Sequence, residues 1–199
     1  MIKIVLASSN PKKIRELQTL LMGTNFEIIP QSNFNISEAD EPYDTFIENA
    51  LAKARHASFH TNLPAIADDS GICVDSLNLL PGVRSARYAG DNASDIDNLN
   101  LLLQSLDGVV DRNAYYYSSI VFISSHLDPQ PLICEGIWKG RITKSPRGNN
   151  GFGYDPIFED IKTEKTAAEL DTTLKNKLSH RGKALQQLIH KLKIKYEQE

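Results

Sequence analysis

The residues best placed to do chemistry lie in one stretch, Ala65-Ile66-Ala67-Asp68-Asp69-Ser70-Gly71-Ile72-Cys73-Val74-Asp75. Adjacent carboxylates repel, so Asp68 and Asp69 require a divalent cation or basic neighbours. On one strand, successive side chains point to opposite faces, so the two acids would divide the work rather than chelate together. Asp-Asp-Ser-Gly also reads as turn chemistry, the tip of a hairpin between two apolar runs. A second chemical stretch is Ser8-Ser9-Asn10-Pro11-Lys12-Lys13. Asn10 suits a helix N-cap and Pro11 the first helical position. Backbone N–H groups, two hydroxyls and two lysines then gather at a positive helix end, a setting for phosphate. The glycine patterns of the Walker A loop and the dinucleotide fingerprint are missing. A third is Pro146-Arg147-Gly148-Asn149-Asn150-Gly151-Phe152-Gly153-Tyr154-Asp155-Pro156, whose glycines admit close backbone approach and whose Phe152 could stack on a flat ligand such as a purine. The last is Lys175-Asn176-Lys177-Leu178-Ser179-His180-Arg181-Gly182. With Ser179 as N-cap, His180 and Arg181 fall in a first turn, where the helix dipole disfavours cations. A bound anion or a base carbonyl would explain them.

The elements that must position these groups follow from periodicity. Residues 2–7 and 26–29 read as strands, and Ile14, Leu17, Leu20 and Leu21 repeat at helical spacing between them. After an acidic loop carrying Glu38, Asp40, Glu41 and Asp44, Thr45 and Glu48 form a capping box. Ile47, Ala50, Leu51, Ala54 and Ser58 make that helix's inward stripe, and Phe46, Asn49 and Lys53 an adjoining face from which Lys53 could reach a cleft. The first half thus reads β-α-β-α-β, the alternation of an α/β fold. Ser94 or Asp95 caps a helix bearing Ile96, Leu99, Leu102, Leu103 and Leu106. Residues 114–124 and 131–139 read as an antiparallel pair of strands with Trp138 in the core, and Leu185, Leu188, Ile189 and Leu192 mark a closing helix.

A chain of 199 residues suits one large domain or two closely joined lobes. A formal net charge of −3 argues against a general nucleic-acid binder, though it leaves room for a local basic pocket. No stretch approaches the ~18 apolar residues of a membrane span, and Met1–Ala7 is too short for a signal peptide. Cys73 and Cys134 sit in apolar strand-like runs and read as buried hydrophobes in a reducing compartment, so a cytoplasmic protein is expected.

Ser8–Lys13, Thr45-Phe46-Ile47-Glu48-Asn49-Ala50, Ala67–Gly71 and Phe152–Pro156 together resemble the inosine triphosphate pyrophosphatase family, closest to the bacterial enzymes that cleave dITP, ITP and XTP. Pro81-Gly82, Ser85-Ala86-Arg87-Tyr88 and Ser179–Gly182 strengthen the match, which spans nearly the full chain. The resemblance implies an elongated two-lobed mixed sheet with flanking helices, the active cleft between the lobes, all within one domain over residues 1–199. It also implies a homodimer that uses Mg2+ to hydrolyse a purine nucleoside triphosphate to the monophosphate and pyrophosphate. Carried onto this chain, Ser8, Ser9, Asn10, Pro11, Lys12 and Lys13 would hold the triphosphate, with Lys13 the main countercharge. Glu41 and Asp69 would hold magnesium, and Asp69 would be the general base. Lys53 and Ser70 would contact the substrate. Phe152, Gly153, Tyr154 and Asp155 would frame base and sugar, and Lys175, His180 and Arg181 would complete recognition. Ser8-Ser9 stands where many relatives carry Thr-Gly. Ala39-Asp40-Glu41-Pro42-Tyr43 departs from the usual Glu-Glu-Thr-Gly, leaving Asp40 and Glu41 as alternatives for the metal, with Glu41 preferred.

The residues support the same chemistry. Cleaving a phosphoanhydride needs charge neutralisation and an aligned water, with little covalent work by the protein. Neither cysteine has an evident histidine partner, so direct attack by water is the better reading. Two rivals are a non-catalytic nucleotide sensor, which would not need Asp68-Asp69, and a hydrolase of modified pyrimidine triphosphates, which His180-Arg181 and the glycine-aromatic loop disfavour.

Overall fold

A computed structural model describes residues 1–196, and all of their side chains except those of Lys12 and Leu20. The elements run β1 (Ile2–Leu6), α1 (Pro11–Leu21), β2 (Phe26–Pro30), α2 (Phe46–Thr61), β3 (Ala65–Val74), α3 (Asp95–Ser105), β4 (Asn113–Ile123), β5 (Leu132–Ile142), β6 (Phe158–Asp160), α4 (Thr172–Leu178) and α5 (His180–Tyr196). One six-stranded sheet has the order β2-β1-β3-β4-β5-β6. It is mixed: β1 is parallel to β2 (Ile4↔Ile28) and to β3 (Leu6↔Ile66), whereas β5 and β6 are antiparallel (Gly140↔Asp160). The α/β class expected from the β-α-β-α-β alternation is borne out.

The chain forms two compact units. The first holds Met1–Asp69, Ser118–Glu135 and α5 from Lys183 onward; the second holds Ser70–Tyr117 and Gly136–Gly182. Within the first unit the period-2 alternation of strands sorts side chains into two cores. Ile4, Leu6, Ile66, Ile120 and Phe122 join Leu17 and Leu21 of α1 and Ala184, Leu185, Leu188 and Leu192 of α5. Their strand neighbours Val5, Ala7, Ala65, Ala67, Val121 and Ile123 join Ala50, Ala54 and Ala57 of α2. Helices therefore cover both faces, and alanines on α2 let its backbone approach the sheet closely. The second unit's core gathers Leu99, Leu102 and Leu106 of α3 with Tyr116, Trp138, Ile157 and Phe158. Trp138 is core, as expected, and its indole N–H donates to Asp160 Oδ1 at 2.7 Å, so its one polar atom is satisfied. Cys73 and Cys134 are buried free thiols.

Three local readings change. Asp-Asp-Ser-Gly is not a turn: it lies inside the ten-residue strand β3, all of which is buried except Ser70. Turn propensity is local, and strand pairing overrides it. On α2 the buried set is Asn49, Ala50, Ala54, Ala57 and Ser58, while Ile47 and Leu51 are only half-buried. Lys175 sits on a short helix, α4, that the sequence periodicity does not mark; Asp171 caps it by accepting from Leu174 N at 2.9 Å.

Candidate active site

In the first unit, β1 delivers the Ser8–Asn10 loop to the start of α1. Asn10 caps that helix, its Oδ1 accepting from Lys13 N at 3.4 Å and its carbonyl from Ile14 N at 3.1 Å. Ser8 Oγ accepts from Asn10 N at 3.1 Å, and Ser9 Oγ donates to Glu38. Pro11 takes the first helical position; the Lys12 side chain lies outside the described set. The cap aims Lys13 at β3. Its Nζ lies 2.8 Å from Asp68 Oδ2 and donates to the Asp68 carbonyl at 3.3 Å. Ser118 of β4 donates to the other Asp68 oxygen at 2.7 Å.

Asp69, next along β3, takes a different lysine. Lys53 Nζ from α2 lies 2.7 Å from Asp69 Oδ1 and 2.8 Å from Glu41 Oε1. The adjacent acids thus have separate partners, as the strand alternation requires. Asp69 is only 7% exposed, and its Oδ2 is buried with no hydrogen-bond partner among the described residues. Burial pushes the Asp69 carboxyl above its ordinary range, and the Lys53 charge offsets this only in part. Burial alone would lower Lys53, but the charges of Asp69 and Glu41 outweigh it and raise the ammonium above its usual value. Glu41 is held there by a residue the sequence reading placed only on a side face. Buried Asn49 accepts from Tyr43 N at 3.1 Å and donates to Tyr43 O at 3.0 Å, clamping the acidic loop to α2.

These donors suit a hard divalent cation. Magnesium takes one or two carboxylates and fills its remaining positions with water and phosphate oxygens. Glu41 and Asp69 already share one cationic atom, and Asp69 Oδ2 is a buried oxygen lacking a partner. No group of three or more acidic, histidine or cysteine side chains able to hold a metal occurs among the described residues.

In the second unit, Asp155 is the hub. Its Oδ2 accepts from Phe152 N at 2.8 Å and from Lys175 Nζ at 2.5 Å, and its Oδ1 from the Tyr116 hydroxyl at 3.5 Å. Gly151 makes this possible: its φ is +82°, and a Cβ there would lie 2.0 Å from Asp155 Oδ2. Lys175 Nζ also stands 5.1 Å from the centre of the Phe152 ring. Gly153 N donates to Asp95 Oδ2 at 2.9 Å, and the buried Tyr154 hydroxyl to Ser85 O at 2.7 Å. Ser179 caps α5, its Oγ accepting from Gly182 N at 3.0 Å, which sets His180 and Arg181 in the first turn. Both are buried; the His180 ring lies flat on Tyr116, and Arg181 donates to Ser70 Oγ at 2.9 Å.

Sequence reasoning missed Ser118, Asn49, Tyr116 and Asp95 as partners of these groups. A polar pair, Ser118-Ser119, inside the apolar run of β4 was the one available signal.

Fold and side chains define an α/β protein with lysine-compensated carboxylates beside a helix N-terminus in one unit, suited to a phosphorylated ligand, and an aromatic, cationic group in the other. The chain belongs to the Ham1 family, whose model matches residues 4–191. It is 54% identical over 190 residues to a dITP/XTP pyrophosphatase of Aromatoleum aromaticum, covering 96% of each chain. It is 51% identical to the protein of that name from Neisseria meningitidis serogroup B, covering 96% of this chain and 97% of the other. A solved Ham1 protein from Coxiella burnetii superposes with a TM-score of 0.92 at 48% identity, over 96% of this chain and 98% of that one. One from Staphylococcus aureus gives 0.89 at 36% identity, over 97% and 99%. The resemblance carried by the sequence motifs is borne out.

Proposed function

We propose that this chain hydrolyses non-standard purine nucleoside triphosphates, ITP, dITP and XTP, to the monophosphate and pyrophosphate, and so clears them from the nucleotide pool. The observation that carries the reading is full-length identity of about one half to proteins named dITP/XTP pyrophosphatase, on a chain whose acids are each met by a lysine. Water adds across the α–β phosphoanhydride: its oxygen bonds to phosphorus, its proton passes to Asp69, and the anhydride bond breaks. Asp69 Oδ2, buried and without a hydrogen-bond partner, is the oxygen available for that proton. Its raised proton affinity favours the transfer, since a general base works best near the operating pH. Ser8, Ser9, Asn10 and Lys13 engage the triphosphate, with Lys13 exchanging Asp68 for phosphate. Magnesium held by Glu41 and Asp69 would neutralise charge on the phosphate oxygens.

Phe152, Gly153, Tyr154 and Asp155 take the base and sugar, assisted by Lys175, His180 and Arg181, in the second unit. The 6-keto oxygen of hypoxanthine or xanthine accepts a hydrogen bond where adenine's amino group offers a donor. The enzyme is read as one domain of two lobes, a homodimer working in the cytoplasm. Reduced Cys73 and Cys134 fit that compartment, and no helix among the described residues is long and apolar enough to cross a membrane.

Incubation with ITP and magnesium, with pyrophosphate and phosphate assayed separately, tests the reading. Stoichiometric pyrophosphate and IMP are expected. Binding without turnover would indicate a sensor, and faster release from modified pyrimidine triphosphates would indicate the other rival.

A further inference from the structure

Tyr116 has no part in the reading above, yet it touches two of the groups that reading uses. Its ring lies face to face with the His180 imidazole, centroids 4.7 Å apart and planes within 8°. Two further aromatics pack against the tyrosine: Phe158 at 4.6 Å, tilted by 58°, and Trp138 at 6.2 Å, inclined by 26°. Tyr116 is buried, and its hydroxyl reaches Asp155 Oδ1 at 3.5 Å. Burial, then the nearby Asp155 charge, holds that hydroxyl far above its ordinary pKa, so it remains a donor at any working pH.

Each contact has a consequence. A ring pinned by three aromatic neighbours cannot rotate without repacking the core. The imidazole stacked on it is therefore confined to one plane, and its two nitrogens can direct hydrogen bonds only within that plane. Ser179 fixes the backbone of His180 through the helix cap, leaving side-chain torsion as the remaining freedom, and the stack removes it. The hydroxyl links the same ring to Asp155, the hub holding Phe152 N and Lys175 Nζ. One buried side chain thus couples the first turn of α5 to the glycine-aromatic loop.

We propose that Tyr116 is a positioning residue for purine selectivity: it sets the plane of the His180 imidazole and ties it to Asp155. The inference rests on the reading of His180 as a base-recognition group. A hydrogen bond to a 6-keto oxygen discriminates only if the donor cannot turn to suit an amino group instead, so rigidity here is selectivity.

The test compares Tyr116→Leu, which removes the stack, with Tyr116→Phe, which keeps the stack and loses only the hydroxyl. For Tyr116→Leu, kcat/KM for ITP should fall about tenfold through KM, with kcat within about threefold, and the ITP-over-ATP ratio should fall by a similar factor. Tyr116→Phe should keep that ratio within about twofold. A folded Tyr116→Leu enzyme with an unchanged ratio, or one losing kcat equally on both substrates, overturns the proposal. Should Tyr116→Leu not fold, proton NMR of the wild type and Tyr116→Phe decides. His180 ring protons should lie upfield of those of exposed His190 in both proteins, before and after IMP binds. Coincidence with His190 in the free enzyme overturns the stack. A wild type that discriminates poorly between ITP and ATP contradicts the proposed function instead, and the ring-current shift then still reports on the geometry.

Discussion

Asp69 in the first unit and Asp155 in the second are nearly equally buried, 7% and 4% exposed, and both face a lysine. They differ in what satisfies them. Asp155 has three donors on its two oxygens, from a backbone amide, an ammonium and a phenol. Asp69 has Lys53 on one oxygen and, among the described residues, no hydrogen-bond partner on the other. Burying a carboxylate is tolerable only when it is paired and hydrogen-bonded, and a bare buried oxygen costs free energy. The satisfied acid therefore shapes the loop it sits in, while the unsatisfied one is the acid that the proposed function assigns to an incoming proton or cation. The surroundings follow suit. In the first unit, acids are met by flexible lysine stems that can exchange partners when an anion arrives. In the second, Asp155 also meets a lysine, but a backbone amide and a phenol set in an aromatic core hold it as well.

Substitutions can break this contrast. The largest effect is expected for Asp69→Asn: the fold stays intact, its melting temperature unchanged or higher, while kcat falls by about 10²–10⁴-fold. A kcat within threefold of wild type at saturating magnesium would reject Asp69 as the base. Asp155→Ala should do the reverse in stability. Leaving Lys175 and Phe152 N without their acceptor should cost about 1–3 kcal/mol in urea unfolding, and a melting curve identical to wild type would remove Asp155 from the framework.

Lys13→Ala should lower kcat/KM at least about tenfold, since a charged hydrogen bond to phosphate contributes roughly 1.5–3 kcal/mol. Unchanged kcat/KM across all triphosphates would show that the Ser8–Lys13 loop serves another ligand.

The smallest effect sharpens the framework side. Burial would raise the Asp160 carboxyl, but donors from Trp138, Thr163 and Lys162 outweigh it and hold it below its ordinary value. A depressed carboxyl contributes stability above the unfolded pKa and loses it as pH falls through the folded value. Asp160→Asn should therefore cost about 1 kcal/mol at pH 7, and the gap to wild type should close below about pH 4. A gap independent of pH would contradict this sign.

What was legible in the sequence was what is decided locally. Asn10, Thr45 and Ser179 were readable as caps, and Ser94 as one of two with Asp95, because capping is settled within three residues; each of the four accepts such a bond. The apolar run of residues 2–7 and the β-branched and aromatic run of residues 114–124 were likewise legible as strands. What was illegible depended on distant partners. Asp68-Asp69-Ser70-Gly71 has turn chemistry, and only pairing with a neighbouring strand makes it a continuous strand. Ser118 meets Asp68 across 50 residues and Tyr116 meets Asp155 across 39, separations at which no periodicity points from one to the other. Short α4 buries no residue completely, so it carries no apolar stripe to find.

The most direct test of the account is the selectivity between two purines differing at one ring position. Initial rates of pyrophosphate release from ITP, XTP, dITP, GTP and ATP, each at the same low concentration with magnesium, give relative kcat/KM values. Donors facing donors at the adenine amino group should reject ATP relative to ITP by about 10⁴–10⁵-fold. Comparable kcat/KM for ITP and ATP would contradict the account and leave a general nucleoside triphosphate pyrophosphatase.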